Sequence, residues 1–276
     1  MEIRELAKGV YAILTELGDP RGDSNFGLIT GNNGAVLIDA DIRRWEETKQ
    51  FIVSVTKQPV RYLINTHDNF DHTSANTMLA RQGAVIISSK ACRHAMSMTG
   101  RKEFKEKVVS RCFNLKKKYE LDELSMPDLT TDGQLCLNLG ERILEISFVG
   151  HAHTPGDMVV YLPDEEILFA GDVLFNGCHP VAHSGDTSNW LKVLDTLMEK
   201  SIRLTVPGHG EPAIGNNNLD ILKNYFQVVR SRVGELKAEG LSLEEVENKL
   251  KLPEFEDWRK KKWLPMSIRK IYAELI

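Results

Sequence analysis

Between positions 67 and 72 the chain reads His67-Asp68-Asn69-Phe70-Asp71-His72, and five of these six side chains can bind a metal ion or carry a proton. Imidazole nitrogens and carboxylate oxygens at this density are good donors to first-row divalent cations. Burying such a cluster is costly unless a cation or bulk water neutralises it. Taken alone, the stretch fits a hydrated surface loop as well as a metal site. What sets it apart is its position, directly after the apolar run 60–64.

Three later stretches repeat that arrangement. His151-Ala152-His153-Thr154-Pro155-Gly156-Asp157 follows the apolar run 143–149. Gly171 and Asp172 follow 167–170, and Gly208-His209-Gly210 follows 204–207. Each places a His or Asp beside a glycine, just past a short apolar run. Ligands at strand ends of an α/β protein converge on one edge of the sheet. Glycine permits the sharp turn and close backbone approach this needs.

In order, His67-x-Asn69-x-Asp71-His72, His153-Thr154-Pro155-Gly156-Asp157, Phe169-Ala170-Gly171-Asp172 and Pro207-Gly208-His209-Gly210 resemble the motifs of the metallo-β-lactamase superfamily, in a glyoxalase II-like form. Asp39, in Val36-Leu37-Ile38-Asp39, looks like that family's early structural aspartate. The likeness runs from about residue 9 to 212. One position departs from the pattern. The family carries His-x-His-x-Asp-His, and here the second His is Asn69.

The resemblance implies an α/β (α+β) fold, a four-layer αββα sandwich of two mixed β-sheets flanked by helices, with a metal cleft at one sheet edge. It implies two metal sites. One takes His67, His153 and the residue at position 69; the other takes Asp71, His72 and His209; Asp172 bridges them. Asp71 and His72 are the implied catalytic pair, Asp71 as both ligand and water-orienting base. An amide oxygen is a poorer donor to zinc than imidazole, so Asn69 is a weak or lost ligand. One or two zinc ions at unequal occupancy are therefore expected, with iron or manganese as hard-cation alternatives. Asp39 and Thr154 are candidates for fixing imidazole tautomers. Phe70 is a candidate pocket wall, His151 lies beside the ligands, and His179 and His183 are candidates for pocket lining.

The chemistry implied is hydrolysis by a metal-activated water, on an ester, lactone, thioester or phosphoester. β-Lactam hydrolysis is a narrower case. It ranks lower because lactamases of the family usually carry Cys or Ser where Asp172 aligns. An iron-dependent oxidoreductase of the same superfamily and a non-catalytic metal- or ligand-binding relative are the alternatives. The complete set Asp71, His72, His209 and Asp172 argues against the last.

The 276 residues are 42% hydrophobic and 27% charged, as in a soluble globular protein with a large core. A net charge of −4 gives no reason to expect nucleic acid, so the expected partner is a small-molecule substrate. Cys92, Cys112, Cys136 and Cys178 form no C-x-x-C pair, which makes a thiolate zinc site unexpected. The first residues lack the apolar core of a signal peptide, and no run of about 18 apolar residues suggests a membrane span. A reducing cytoplasm is the simplest compartment.

The elements that must position these residues read as strands over 9–15, 25–30, 35–38, 60–64, 84–88, 134–139, 142–148, 158–162, 166–170 and 202–206. Residues 19–23 read as a loop, and Gly31-Asn32-Asn33-Gly34 as a hairpin turn whose residues accept positive φ. Helices are expected over 43–55, over 74–81 with Thr73 as cap, over 90–98 and from 188. In 100–125, charged residues surround a stripe of Phe104, Val108, Cys112 and Phe113. That pattern predicts a solvated helix with one packed face, with a lid over the site as the alternative. From 217 the chain turns helical, with a capping box at Ser242 to Glu245. The expected division is a catalytic domain over 1–215 and a C-terminal helical extension over 216–276 packed on it. A homodimer contact is the alternative use of that tail.

Overall fold

The computed structural model describes residues 1–15 and 24–275, so the expected loop 19–23 lies outside the described residues. Seven strands form the first sheet, in sequential order: β1 (Glu2–Ala7), β2 (Val10–Leu14), β3 (Phe26–Gly31), β4 (Gly34–Ile38), β5 (Val60–Ile64), β6 (Val85–Ser89) and β7 (Leu129–Thr131). β1 to β4 pair antiparallel, and β4 to β7 pair parallel. The second sheet holds β8 (Gln134–Asn138), β9 (Ile143–Gly150), β10 (Asp157–Leu162), β11 (Ile167–Phe175), β12 (Leu204–His209) and β13 (Ala213–Ile214). It is antiparallel except for the β11–β12 pair.

Strand alternation sets the layers. Val10, Ala12 and Leu14 join Met158, Val160 and Leu162 in the core between the sheets. Ile13 points the other way, into the helical layer of the first sheet, and Val159 and Tyr161 point into that of the second. With both faces buried, these strands read as nearly continuous apolar runs. The first outer layer contains α1 (Trp45–Val55), α2 (Phe70–Thr73), α3 (Asn76–Ala80), α4 (Lys90–Ala95), α5 (Arg101–Arg111) and α6 (Phe113–Tyr119). The second contains α7 (Thr187–Met198), α8 (Asn217–Ala238), α9 (Leu243–Lys249) and α10 (Leu264–Glu274). The architecture is thus the expected four-layer αββα sandwich. Leu222, Phe226, Val229 and Val233 of α8 share one apolar cluster with Leu168 and Ala170 of β11.

Several local expectations change. β1 is an edge strand whose charged residues Glu2, Arg4 and Glu5 hide its pairing with β2 from any apolar pattern. β11 runs on to Phe175, so Asp172 lies inside a strand and not after one. The helix expected over 74–81 shortens to α3 (Asn76–Ala80), preceded by the separate turn α2, and the Thr73 hydroxyl donates to the Asn69 carbonyl instead of capping. In the β3–β4 hairpin the positive φ falls on Gly34, at 127°, and not on the asparagines. Over 100–125 the packed-face reading holds: Phe104, Val108 and Cys112 are buried in the cluster that contains Phe70 and Leu79.

Candidate metal centre

The site lies at one end of the sandwich, where both sheets deliver side chains. β5 ends at Ile64, and a short loop carries His67 to Asn69 before α2 presents Asp71 and His72. Asn69 occupies the N-cap position of α2 but makes no capping hydrogen bond. Its Nδ2 lies 2.9 Å from His153 Nε2 instead. His153 sits in the β9–β10 turn, which closes around Asp157. That carboxylate accepts from Ala152 N at 3.1 Å, Thr154 N at 3.0 Å and the Thr154 hydroxyl at 2.5 Å. Burial nevertheless pushes Asp157 up to about 7.

Two glycines allow the strands to meet. A Cβ on Gly171 would strike the Thr66 side chain, which β11 must approach to bring Asp172 to His67. A Cβ on Gly208 would overlap Asp172 Oδ1. Backbone cannot yield there, because the Asn25 side chain ties Pro207 O and Gly210 O at 2.9 and 2.8 Å. Gly208→Ala should therefore displace the Asp172 carboxylate and cut metal affinity at least tenfold, while removing no donor atom. Metal content of that variant after dialysis checks this; full retention contradicts it.

His67, His153 and Asp172 form one group of donor atoms, and Asp71, His72 and His209 another, each within 4.8 Å. Asp172 Oδ2 lies 3.8 Å from His67 Nε2, 3.4 Å from His153 Nε2 and 3.4 Å from His209 Nε2. Its Oδ1 lies 3.2 Å from His72 Nε2. Asp71 Oδ2 is 3.6 Å from His209 Nε2 and 4.0 Å from His72 Nε2. The four imidazoles and Asp172 are buried, whereas the Asp71 side chain keeps 22% exposure. His67 Nε2, His72 Nε2 and Asp172 Oδ1 are buried without a hydrogen bond of good geometry. Buried polar atoms are normally satisfied, so three that converge here fit a cation.

Hydrogen bonds to the opposite ring edges aim these nitrogens inward. The proton positions follow from the bonding network. His72 Nδ1–H donates to Asp39 Oδ2 at 2.8 Å, and His153 Nδ1–H donates to the Val181 carbonyl at 2.7 Å. The Thr66 hydroxyl donates to Asp39 Oδ2 at 2.7 Å, so it must accept from His67 Nδ1–H at 3.0 Å. Asp39, which also accepts from Thr66 N at 2.8 Å, thus orients two imidazoles at once. Burial raises its carboxyl pKa, against these donors. Burial also holds His67 well below the usual imidazole range and brings His153 to about 4, leaving neutral rings suited to a metal. Burial pulls His72 down too, but Asp172 and Asp39 outweigh it and raise that ring. Asp172 stays well below the carboxylate range: burial pushes it up, but the His209 and His72 imidazoles prevail.

The other expected residues lie elsewhere. Thr154 meets Asp157 and not an imidazole. Phe70, on the same turn of α2 as Asp71 and His72, is buried on the α5 side. There it packs on Phe104 at 6.2 Å between centroids, with the Lys107 ammonium 5.8 Å from its ring. His151 Nε2–H donates to the Ser184 carbonyl at 2.7 Å and braces a loop. His179 lines a cavity, as expected, but one formed with Leu250, Phe255 and Leu264 of the C-terminal helical region; its Nδ1 is 3.0 Å from the Tyr225 phenol oxygen, and burial lowers it to about 4. His183 is exposed, though close enough to oppose a charge on His153.

Sequence reasoning missed Thr66, although it directly precedes His67, and the Val181 carbonyl, which no side chain advertises. It also missed Phe175 and Trp263. Phe175 stacks on His209 at 5.3 Å and 16°, and Trp263 meets the same ring edge-on at 5.3 Å and 74°.

Comparison with known proteins agrees with this geometry. The family model described as the metallo-beta-lactamase superfamily matches residues 19–209. A metallo-beta-lactamase type 2 of Bacillus sp. (strain 170) is 28% identical over 241 residues, covering 81% of this chain and 82% of that protein. The structure of a metallo-beta-lactamase from Pontibacter korlensis superposes with a TM-score of 0.66 at 22% identity, over 82% of this chain and 98% of that one. A stereoselective inverting sec-alkylsulfatase from Pseudomonas sp. superposes with a TM-score of 0.72 at 18% identity, over 99% of this chain and 50% of its own. These two structures share the fold. The chain belongs to the metallo-β-lactamase superfamily, as a metallo-hydrolase.

Proposed function

We propose that this enzyme hydrolyses an ester, lactone, thioester or phosphoester with zinc in the Asp71–His72–His209 site. The supporting observation is one buried carboxylate, Asp172, within 4 Å of four imidazoles, next to a partly exposed Asp71. A divalent cation held there lowers the pKa of bound water toward neutrality and polarises the oxygen under attack. Asp71 keeps an oxygen within reach of solvent, where it orients the attacking water and takes up its proton. Asp39 and Val181 hold His72 and His153 in the tautomer that leaves Nε2 available. β-Lactam hydrolysis, the activity named in the Bacillus relative, ranks second because Asp172 stands where the family's lactamases usually have Cys or Ser. Elemental analysis of the purified protein beside a chromogenic ester, lactone, phosphodiester and lactam screen tests this. Zinc with ester or lactone turnover supports it; iron with oxygen uptake and no hydrolysis overturns it.

A further inference from the structure

The rim of the metal centre includes a segment far from every ligand in sequence. Residues 258–263 form a strap between α9 and α10. Arg259 N donates to the Gly177 carbonyl at 3.0 Å, and His179 N donates to the Arg259 carbonyl at 3.0 Å. Just beyond the strap, the Ser267 hydroxyl donates to the Pro180 carbonyl at 2.7 Å. The loop they grip, 177–181, leaves β11 after Asp172 and supplies the Val181 carbonyl that holds His153. Strap and ligands therefore share one loop. Lys260 takes φ +60°, a left-handed conformation uncommon for lysine, at the turn that precedes Trp263.

Trp263 is delivered against the ligands. Its ring meets His209 edge-on at 5.3 Å and Phe175 edge-on at 6.2 Å. Phe175 in turn stacks on His209 and reaches the His153 ring at 5.8 Å. His209 and Phe175 are buried, but Trp263 is only half-buried. A strap that needed only an anchor would be served by Trp258, which stacks on buried Tyr225 at 4.8 Å and 11°. Trp263 instead places a large aromatic surface beside His209 and stays partly exposed, with the Lys260 ammonium 5.1 Å from its ring centroid.

We propose that Trp263 is a wall of the substrate cleft and selects substrates with a flat, apolar group next to the reacting centre. This rests on the hydrolase reading above. A flat group meeting an indole in offset or edge geometry gains about tenfold in binding over a small aliphatic one. A substrate without such a group gains little from the wall.

The test uses full-length protein loaded with cobalt(II), titrated with benzenethiol and with ethanethiol, and read by thiolate-to-cobalt absorption. Comparing the ratio of the two affinities between variants cancels the thiols' own acidities. Trp263→Ala should lower the benzenethiol preference about tenfold at unchanged cobalt content, and Trp263→Phe should keep most of it. An unchanged ratio in Trp263→Ala overturns the proposal. So does a parallel loss of both thiols and of cobalt, which would make Trp263 a structural anchor alone. In parallel, the KM for a phenyl ester should rise more than that for a methyl ester in Trp263→Ala. If the wild-type protein hydrolyses no ester, lactone, thioester or phosphoester probe, the hydrolase reading fails, and the thiol ratio still decides the role of Trp263.

Discussion

Replacing Asp172 by asparagine should empty the metal centre and lower hydrolysis by roughly 10³-fold or more, since the centre supplies several kcal/mol of transition-state stabilisation. The carboxylate lies between 3.2 and 3.8 Å from the Nε2 atoms of His67, His72, His153 and His209. An amide keeps the shape but loses the charge and one acceptor oxygen. Its NH₂ group would also point at an imidazole lone pair or at the cation. Elemental analysis and turnover of Asp172→Asn should fall together. A fully loaded variant that had merely slowed would show that Asp172 does not bridge.

Asp39→Ala should come next in size, although Asp39 touches no metal position. It accepts from His72 Nδ1–H directly and from His67 through the Thr66 hydroxyl. Losing such a partner costs about 10–100-fold in metal affinity; here His72 loses its acceptor outright, and the Thr66 hydroxyl that receives the His67 proton loses the anchor that fixes it. The Thr66 N–H and His72 Nδ1–H would also be left buried without an acceptor, at about 1–3 kcal/mol each. Chelator competition should therefore show weakening at both sites, with a lower melting temperature. Thr66→Val isolates one arm of the pair: it should weaken the His67 site and spare His72. Tight binding at both sites in Asp39→Ala would contradict the orienting role.

Much of this could be read from the sequence, for identifiable reasons. The sandwich was legible because both sheets are covered on both faces, so their strands stand out as apolar runs between glycines and polar clusters. The clustering of His67, Asp71, His72, His153, Asp172 and His209 was legible because a short apolar run precedes each group, although Asp172 itself lies inside β11. What failed lacked that signal. β1 pairs through its backbone at an edge, so its charged side chains say nothing. Phe70 lies between an asparagine and a ligand, and only the helical turn that begins there decides that it faces α5. Val181 acts through a carbonyl. Trp263 reaches His209 by a strap whose course depends on Lys260 in a left-handed conformation and on two backbone bonds to the 177–179 loop. No spacing rule links positions 209 and 263.

Asn69 remains the feature that distinguishes this centre. It stands at the N-cap of α2, where an asparagine would ordinarily bond the helix N–H groups, yet it turns to His153 at 2.9 Å. Its amide oxygen and nitrogen are interchangeable by a flip, so either neutral group can face His153. The Asp71, His72 and His209 donors lie together as one group, whereas the group of His67, His153 and Asp172 has Asn69 beside it where the family pattern has a histidine. Titrating zinc into metal-stripped protein tests this inequality directly. The wild type should bind one tight equivalent and a second weaker by at least about tenfold, and Asn69→His should bind two tight equivalents. Two equally tight equivalents in the wild type would contradict it, as would an Asn69→His variant that lost activity without any change in metal count.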